Sequence, residues 1–90
     1  MPTLNLGLVS PGFFNDGDLE INGEQLGALE VLAADSDNAL ADAISGFDNL
    51  TATVSETGEL VIEWSGVLSV DGQDPTGGGA INDLQAGSYE

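Results

Sequence analysis

The 90 residues contain no lysine, no arginine, no histidine and no cysteine. Each absence removes a class of function. Without a cationic side chain nothing can neutralise phosphate, which excludes ordinary nucleic-acid binding and disfavours an anionic membrane surface. Without His, Cys or Lys the usual nucleophile and base pairs cannot be assembled, because no hydroxyl has a partner that accepts a proton near neutral pH. Without Cys there are no disulfides, and without Cys or His there is no structural zinc site. No apolar run approaches the ~18 residues that span a bilayer. The opening MPTLNLGLVSPGFF also lacks the charged start and continuous apolar stretch of a secretory signal.

What is present is acidity. Sixteen Asp and Glu give a formal net charge of −16, where a chain of ordinary composition would carry roughly ten Lys and Arg at this length. The carboxylates have no side-chain cation to pair with and repel one another across a Debye length of about 8 Å. They are expected to face solvent, cations or a basic partner. Hydrophobic residues still make up 41% of the chain, too many for an acidic disordered tail. One thin core is expected, since a chain this short buries only about 60% of the surface its unfolded form exposes. Self-association into a homo-oligomer, or docking in many copies on a larger body, would add what the core lacks.

Hydrophobic patterning divides the chain into three parts. Residues 1–15 carry no charged side chain, and Leu4, Leu6 and Leu8 alternate with Asn5 and Gly7 ahead of the turn Ser10-Pro11-Gly12 and the pair Phe13-Phe14. This predicts an apolar strand, closing the core as an edge or inserting into a neighbour as an arm. Residues 16–70 predict the folded domain. Leu19 and Ile21 alternate with acids before Asn22-Gly23, a tight hairpin turn, and the return strand Glu24 to Leu32 changes phase at Gly27, as at a bulge or twist. Asp35 or Ser36 caps a helix with an inward stripe of Leu40, Ala43, Ile44 and Phe47, ended by Gly46. Leu50 to Val54 and Leu60 to Trp64 form the clearest hairpin, with Trp64 in the core at the sheet end, and Val67 to Val70 adds a short strand. Residues 71–90 predict a Gly-rich tail ending in Tyr89-Glu90, held by contact with something else. The fold class expected is α+β: a small antiparallel sheet of two hairpins and short strands, with one helix packed on it.

Only carboxylates remain to carry chemistry, and acid pairs alone, in a chain with little room for a substrate cleft, do not point to an enzyme. Calcium is the one ion to weigh, because Asp16, Asp18 and Glu20, and again Asp71 and Asp74, gather hard oxygen ligands in Gly-containing loops. Neither loop completes an EF-hand, and GGAINDL at 78–84 occurs once and lacks the third Gly of the calcium-binding nonapeptide repeat. Weak, diffuse calcium binding is expected, with no cofactor. A DNA-mimicking inhibitor would need an ordered acidic stripe, whereas these acids are spread over turns, loops and outward strand positions.

Over residues 18–66 the run DLEINGEQLGALEVLAADSDNALADAISGFDNLTATVSETGELVIEWSG resembles the IN motif of flagellins and hook-associated proteins. The resemblance rests on Ile21-Asn22-Gly23, the helix around Ala39 to Ile44, the strand Leu50-Thr51-Ala52-Thr53-Val54, and Leu60 to Ser65. It implies a hairpin, helix, hairpin module displayed on the outside of a filament, with no catalytic residue. Flagellins place such modules between long coiled-coil segments, and this chain, beginning at its own Met1, has none, so a free-standing display module is expected rather than a complete flagellin.

These observations converge on a non-enzymatic structural protein decorating a larger assembly. The leading expectation is a capsid decoration (cement) protein on the surface of a phage or virus particle, which leaves the host with the particle and needs no export signal. The alternatives are an accessory module on a flagellar or other extracellular filament, and an acidic DNA mimic. The expected protein contacts are Leu4, Leu6, Leu8, Phe13, Phe14 and Tyr89.

Overall fold

The computed structural model describes residues 2–81 and 84–89. Its strands are β1 (Thr3–Leu8), β2 (Gly12–Phe14), β3 (Glu20–Ile21), β4 (Glu24–Gln25), β5 (Leu29–Val31), β6 (Leu50–Val54), β7 (Glu59–Trp64), β8 (Leu68–Asp71) and β9 (Gly87–Tyr89), with the helix α1 (Ala39–Ser45) between β5 and β6. They form three small antiparallel sheets, ordered β1-β7-β6, β2-β5 and β4-β3-β8-β9. The expected α+β class is what the chain adopts.

The β6–β7 hairpin follows directly from alternation. Leu50 pairs with Trp64, Ala52 with Ile62 and Val54 with Leu60, and all but the half-buried Val54 are buried in the core. The intervening Thr and Glu side chains point to the other face. Gly58, at φ +83°, closes the turn with a bond from its N–H to the Ser55 carbonyl. Asn22 and Gly23 take φ +52° and +86° in the β3–β4 turn, the mirror-image turn whose twist suits a two-residue hairpin.

The phase change at Gly27 has a larger meaning than a bulge. Gly27 sits at φ +81°, and there the chain leaves the β4-β3 sheet altogether. The return strand therefore divides into β4, paired with β3, and β5, paired with β2.

The helix is shorter than its expected span and begins at Ala39, after Asn38 in the left-handed region. Its first N–H groups are still satisfied. Asp35, only 1% exposed, accepts from Leu40 N–H at 3.0 Å and Ala41 N–H at 2.9 Å, and Asp37 accepts from Ala39 N–H at 3.1 Å. Asp35 thus caps from outside the helix, which fixes the buried stripe as Leu40, Ala41 and Ile44 and leaves Ala43 half-buried. Ser45 anchors the helix to β6: its hydroxyl accepts from Ala52 N–H at 2.9 Å and donates to Ala52 C=O at 3.2 Å.

Residues 71–90 differ most from expectation. The described part of this stretch is no hanging tail: Gly77 and Ala80 carbonyls accept from Phe13 and Ser10 N–H groups, Ala80, Ile81 and Leu84 are buried, and β9 pairs with β8. The glycines are what allow it. A Cβ on Gly77 would stand 2.5 Å from the Phe14 ring, and one on Gly12 2.4 Å from the Gly77 carbonyl. A radius of gyration of 11.5 Å matches the ~12 Å of a compact chain this long.

Candidate docking surface

The surface that can meet a partner is set by two local events in the first 15 residues. In β1 the pairing runs Thr3 to Glu63, Leu4 to Ile62 and Asn5 to Val61, then slips so that Leu8 faces Glu59. The slip is a bulge at Gly7, whose φ of +75° suits glycine and whose N–H donates to the Asn5 side chain. An extra residue inverts the side-chain alternation beyond it. Leu6 therefore points inward, Val9 takes the next core position, and Leu8 is turned out at 61% exposure.

The second event is the β2–β5 pair. Phe14 faces Leu29 on the inner side and is fully buried, so Phe13, opposite Glu30, must face outward and is 49% exposed. Leu32, 39% exposed, follows β5 on the same outer side as Phe13 and Glu30. Leu8 lies beside Ala34, which comes two residues after Leu32. The Ala34 N–H donates to the Val9 carbonyl, and a Cβ placed on Gly58 would meet both Ala34 Cβ and Leu8 Cδ1. Continuing the β2–β5 register sets Leu32 opposite Pro11, so Pro11, Phe13 and Leu32 form an exposed apolar strip beside Glu30, while Leu8, paired with Glu59, is exposed next to Ala34.

Set against the expected contacts, Phe13 lies on this strip and Leu8 is exposed beside Ala34. Leu6 and Phe14 do not: both are core residues, so neither is available to a partner. Leu4 is half-buried against the core. Tyr89 is occupied within the chain, its ring edge-on to Trp64 at 6.4 Å between centroids and its hydroxyl donating to the Gln85 carbonyl at 2.8 Å. Sequence reasoning missed Leu32 and Val67, both exposed. Parity held a signal for both: once Leu29 and Val31 point inward Leu32 points out, and once Leu68 and Val70 point inward Val67 points out.

The two acidic loops do meet, but through their backbones. Gln73 and Asp74 N–H groups donate to the Gly17 and Asp18 carbonyls, and Glu20 pairs with Asp71 across β3 and β8. The carboxylates are spent locally. Asp18 accepts from Asn15 N–H at 2.7 Å, Asp71 from Gly72 N–H at 2.8 Å, and Asp74 from the Thr76 hydroxyl at 2.6 Å and Gly78 N–H at 3.0 Å. The Thr76 bond, then that from Gly78, holds the Asp74 pKa below the ordinary aspartate value. Asp16 is exposed and Glu20 half-buried, and among the described residues no three acidic groups converge as a metal site would require. Part of GGAINDL, Asn82 and Asp83, lies outside the described residues.

A shallow cleft of about 220 Å³ lies between Ile21, Asn22, Glu24, Phe47, Asp48 and Asn49. It is smaller than the ~300–1,000 Å³ of small-molecule sites. Among the described residues no helix is long and apolar enough to cross a membrane. No family model matches this chain, and no curated protein sequence matches it.

Proposed function

We propose that this chain is a non-enzymatic structural protein that coats a larger assembly, docking through the exposed Leu8, Phe13 and Leu32. The single observation that carries the reading is the contrast between these exposed apolar residues, with Glu30 and Glu59 beside them, and an exposed surface that otherwise carries acids and no base. Eight of the acids, Asp16, Glu24, Glu30, Asp37, Asp42, Asp48, Glu56 and Asp71, are exposed, with no cationic side chain in the chain to answer them. Exposed apolar residues beside carboxylates fit a partner surface with an apolar centre and Lys or Arg at its rim.

The assembly we infer is a phage or virus capsid, with the chain as a decoration protein on its outer surface. Net repulsion among copies that carry acids and no basic side chain keeps them from aggregating while the apolar strip seats each on the particle. The hairpin, helix, hairpin order over residues 18–66 leaves a filament surface as the other assembly to test. The experiment is fractionation: particles and filaments purified from producing cells are assayed for the chain by quantitative mass spectrometry. A fixed ratio to the major capsid subunit supports the reading; a fixed ratio to a filament subunit transfers the same role to the filament; recovery only as free chain, or bound to a DNA-binding protein, overturns it.

A further inference from the structure

We infer that β1 is a pairing edge, through which two copies of the chain join their sheets in an antiparallel twofold contact. The geometry follows from hydrogen-bond alternation. Ala52 turns its N–H and C=O to Ser45, away from β7. Ile62, opposite Ala52, therefore turns its own toward β1 and bonds Leu4. The Trp64 N–H, which donates to the Pro2 carbonyl, obeys the same alternation. Thr3 and Asn5 consequently direct their N–H and C=O groups outward, and among the described residues no backbone group pairs with them.

Open edges in folded proteins are normally blunted by charge or covered. The other edge of this sheet is plugged by Ser45, but β1 carries no charge and both Thr3 and Asn5 are exposed. The occupant that fits is a second copy. In a twofold pair centred on Leu4, Thr3 of one chain faces Asn5 of the other, each exchanging both backbone bonds, and the half-buried Leu4 side chains become neighbours. The nearest strand bearing carboxylates is β7, with Glu59 and Glu63. In the pair the two β7 strands stand three strand spacings apart, about 14 Å, beyond the Debye length of about 8 Å. Pro2 and the Gly7 bulge bound the open segment, so the contact closes at two copies.

The interface is small and the chains repel at long range, which gives a weak dimer promoted by salt. This is independent of what the Phe13 strip binds. The test is sedimentation equilibrium on the full chain up to about 1 mM, in about 20 mM and about 500 mM NaCl. The expected result is a monomer–dimer equilibrium that strengthens with salt, with Thr3 and Asn5 amide exchange slowed as concentration rises. Thr3→Pro removes an outward N–H and no bond to β7, so it should weaken the dimer on the order of tenfold while leaving the monomer's thermal unfolding unchanged. If Thr3→Pro also impairs folding, the amide exchange of the unmodified chain decides. A single monomeric species throughout would overturn the inference, as would a dimer in which the Thr3 and Asn5 amides exchange at the monomer rate. So would a shift in those two amides seen only when a cationic peptide such as heptalysine is added, which would assign the edge to a basic partner instead.

Discussion

Phe13 and Phe14 are adjacent, chemically identical and opposite in role, because β2 alternates its side chains between core and solvent. The difference is measurable. Phe14→Ala should cost about 3–5 kcal/mol in urea unfolding, since its side chain is fully buried and Gly77 lies against the ring. Phe13→Ala should change stability by no more than about 0.5 kcal/mol. Asp74 offers a second residue-scale test. Its carboxylate holds Thr76 and Gly78, and its pKa is lowered in the fold. A lowered carboxylate pKa contributes stability that is present above the unfolded value and lost as pH falls through the folded one. Asp74→Asn should therefore unfold more readily than the parent at pH 7, with the difference closing below about pH 4. Thermal melts across that range check it.

At the scale of elements, the segment 71–81 behaves as structure because glycine lets it approach β2 closely. Gly77, at φ +63° and against the Phe14 ring, has no space for a methyl group. Gly77→Ala should destabilise by about 1–3 kcal/mol, through overpacking and the left-handed backbone together; Gly66→Ala, also at positive φ but in open space, isolates the backbone part in the same unfolding assay. This segment also marks where the sequence stops being legible. The β6–β7 hairpin could be read from an unbroken alternation, and the β3–β4 turn from Asn22-Gly23, because both are decided by neighbours in the chain. The contact of Gly77 with Phe14, the pairing of β9 with β8 and the transfer of β5 to another sheet are decided by residues far apart, and a run of glycines looks the same in a linker as in a close approach. The docking strip was half legible for a related reason. That residues 1–15 are apolar and uncharged shows in the sequence, but whether Leu6 or Leu8 faces outward depends on one bulge at Gly7.

The whole molecule is governed by charge of a single sign. With 16 carboxylates and no basic side chain, the fold resists its own repulsion, and mobile cations are what relieve it. Raising NaCl from about 20 mM to about 500 mM should raise the unfolding midpoint on the order of 5 °C. Calcium at matched ionic strength should act no differently from magnesium, because Asp18, Asp71 and Asp74 are engaged in local turns and no three described acidic groups converge. The same charge shapes association: the apolar strip and the uncharged β1 edge are where another chain can approach without placing carboxylate against carboxylate. The claim that unites these scales is that the strip around Phe13 seats the chain on a larger particle. Its most direct test is the amount of chain on purified particles from cells expressing either the parent or Phe13→Asp. A fixed ratio to the major particle subunit is expected for the parent, and loss of the Phe13→Asp chain, shown by circular dichroism to remain folded, to the soluble fraction; equal retention of both, or the parent absent from every particle, would contradict the claim.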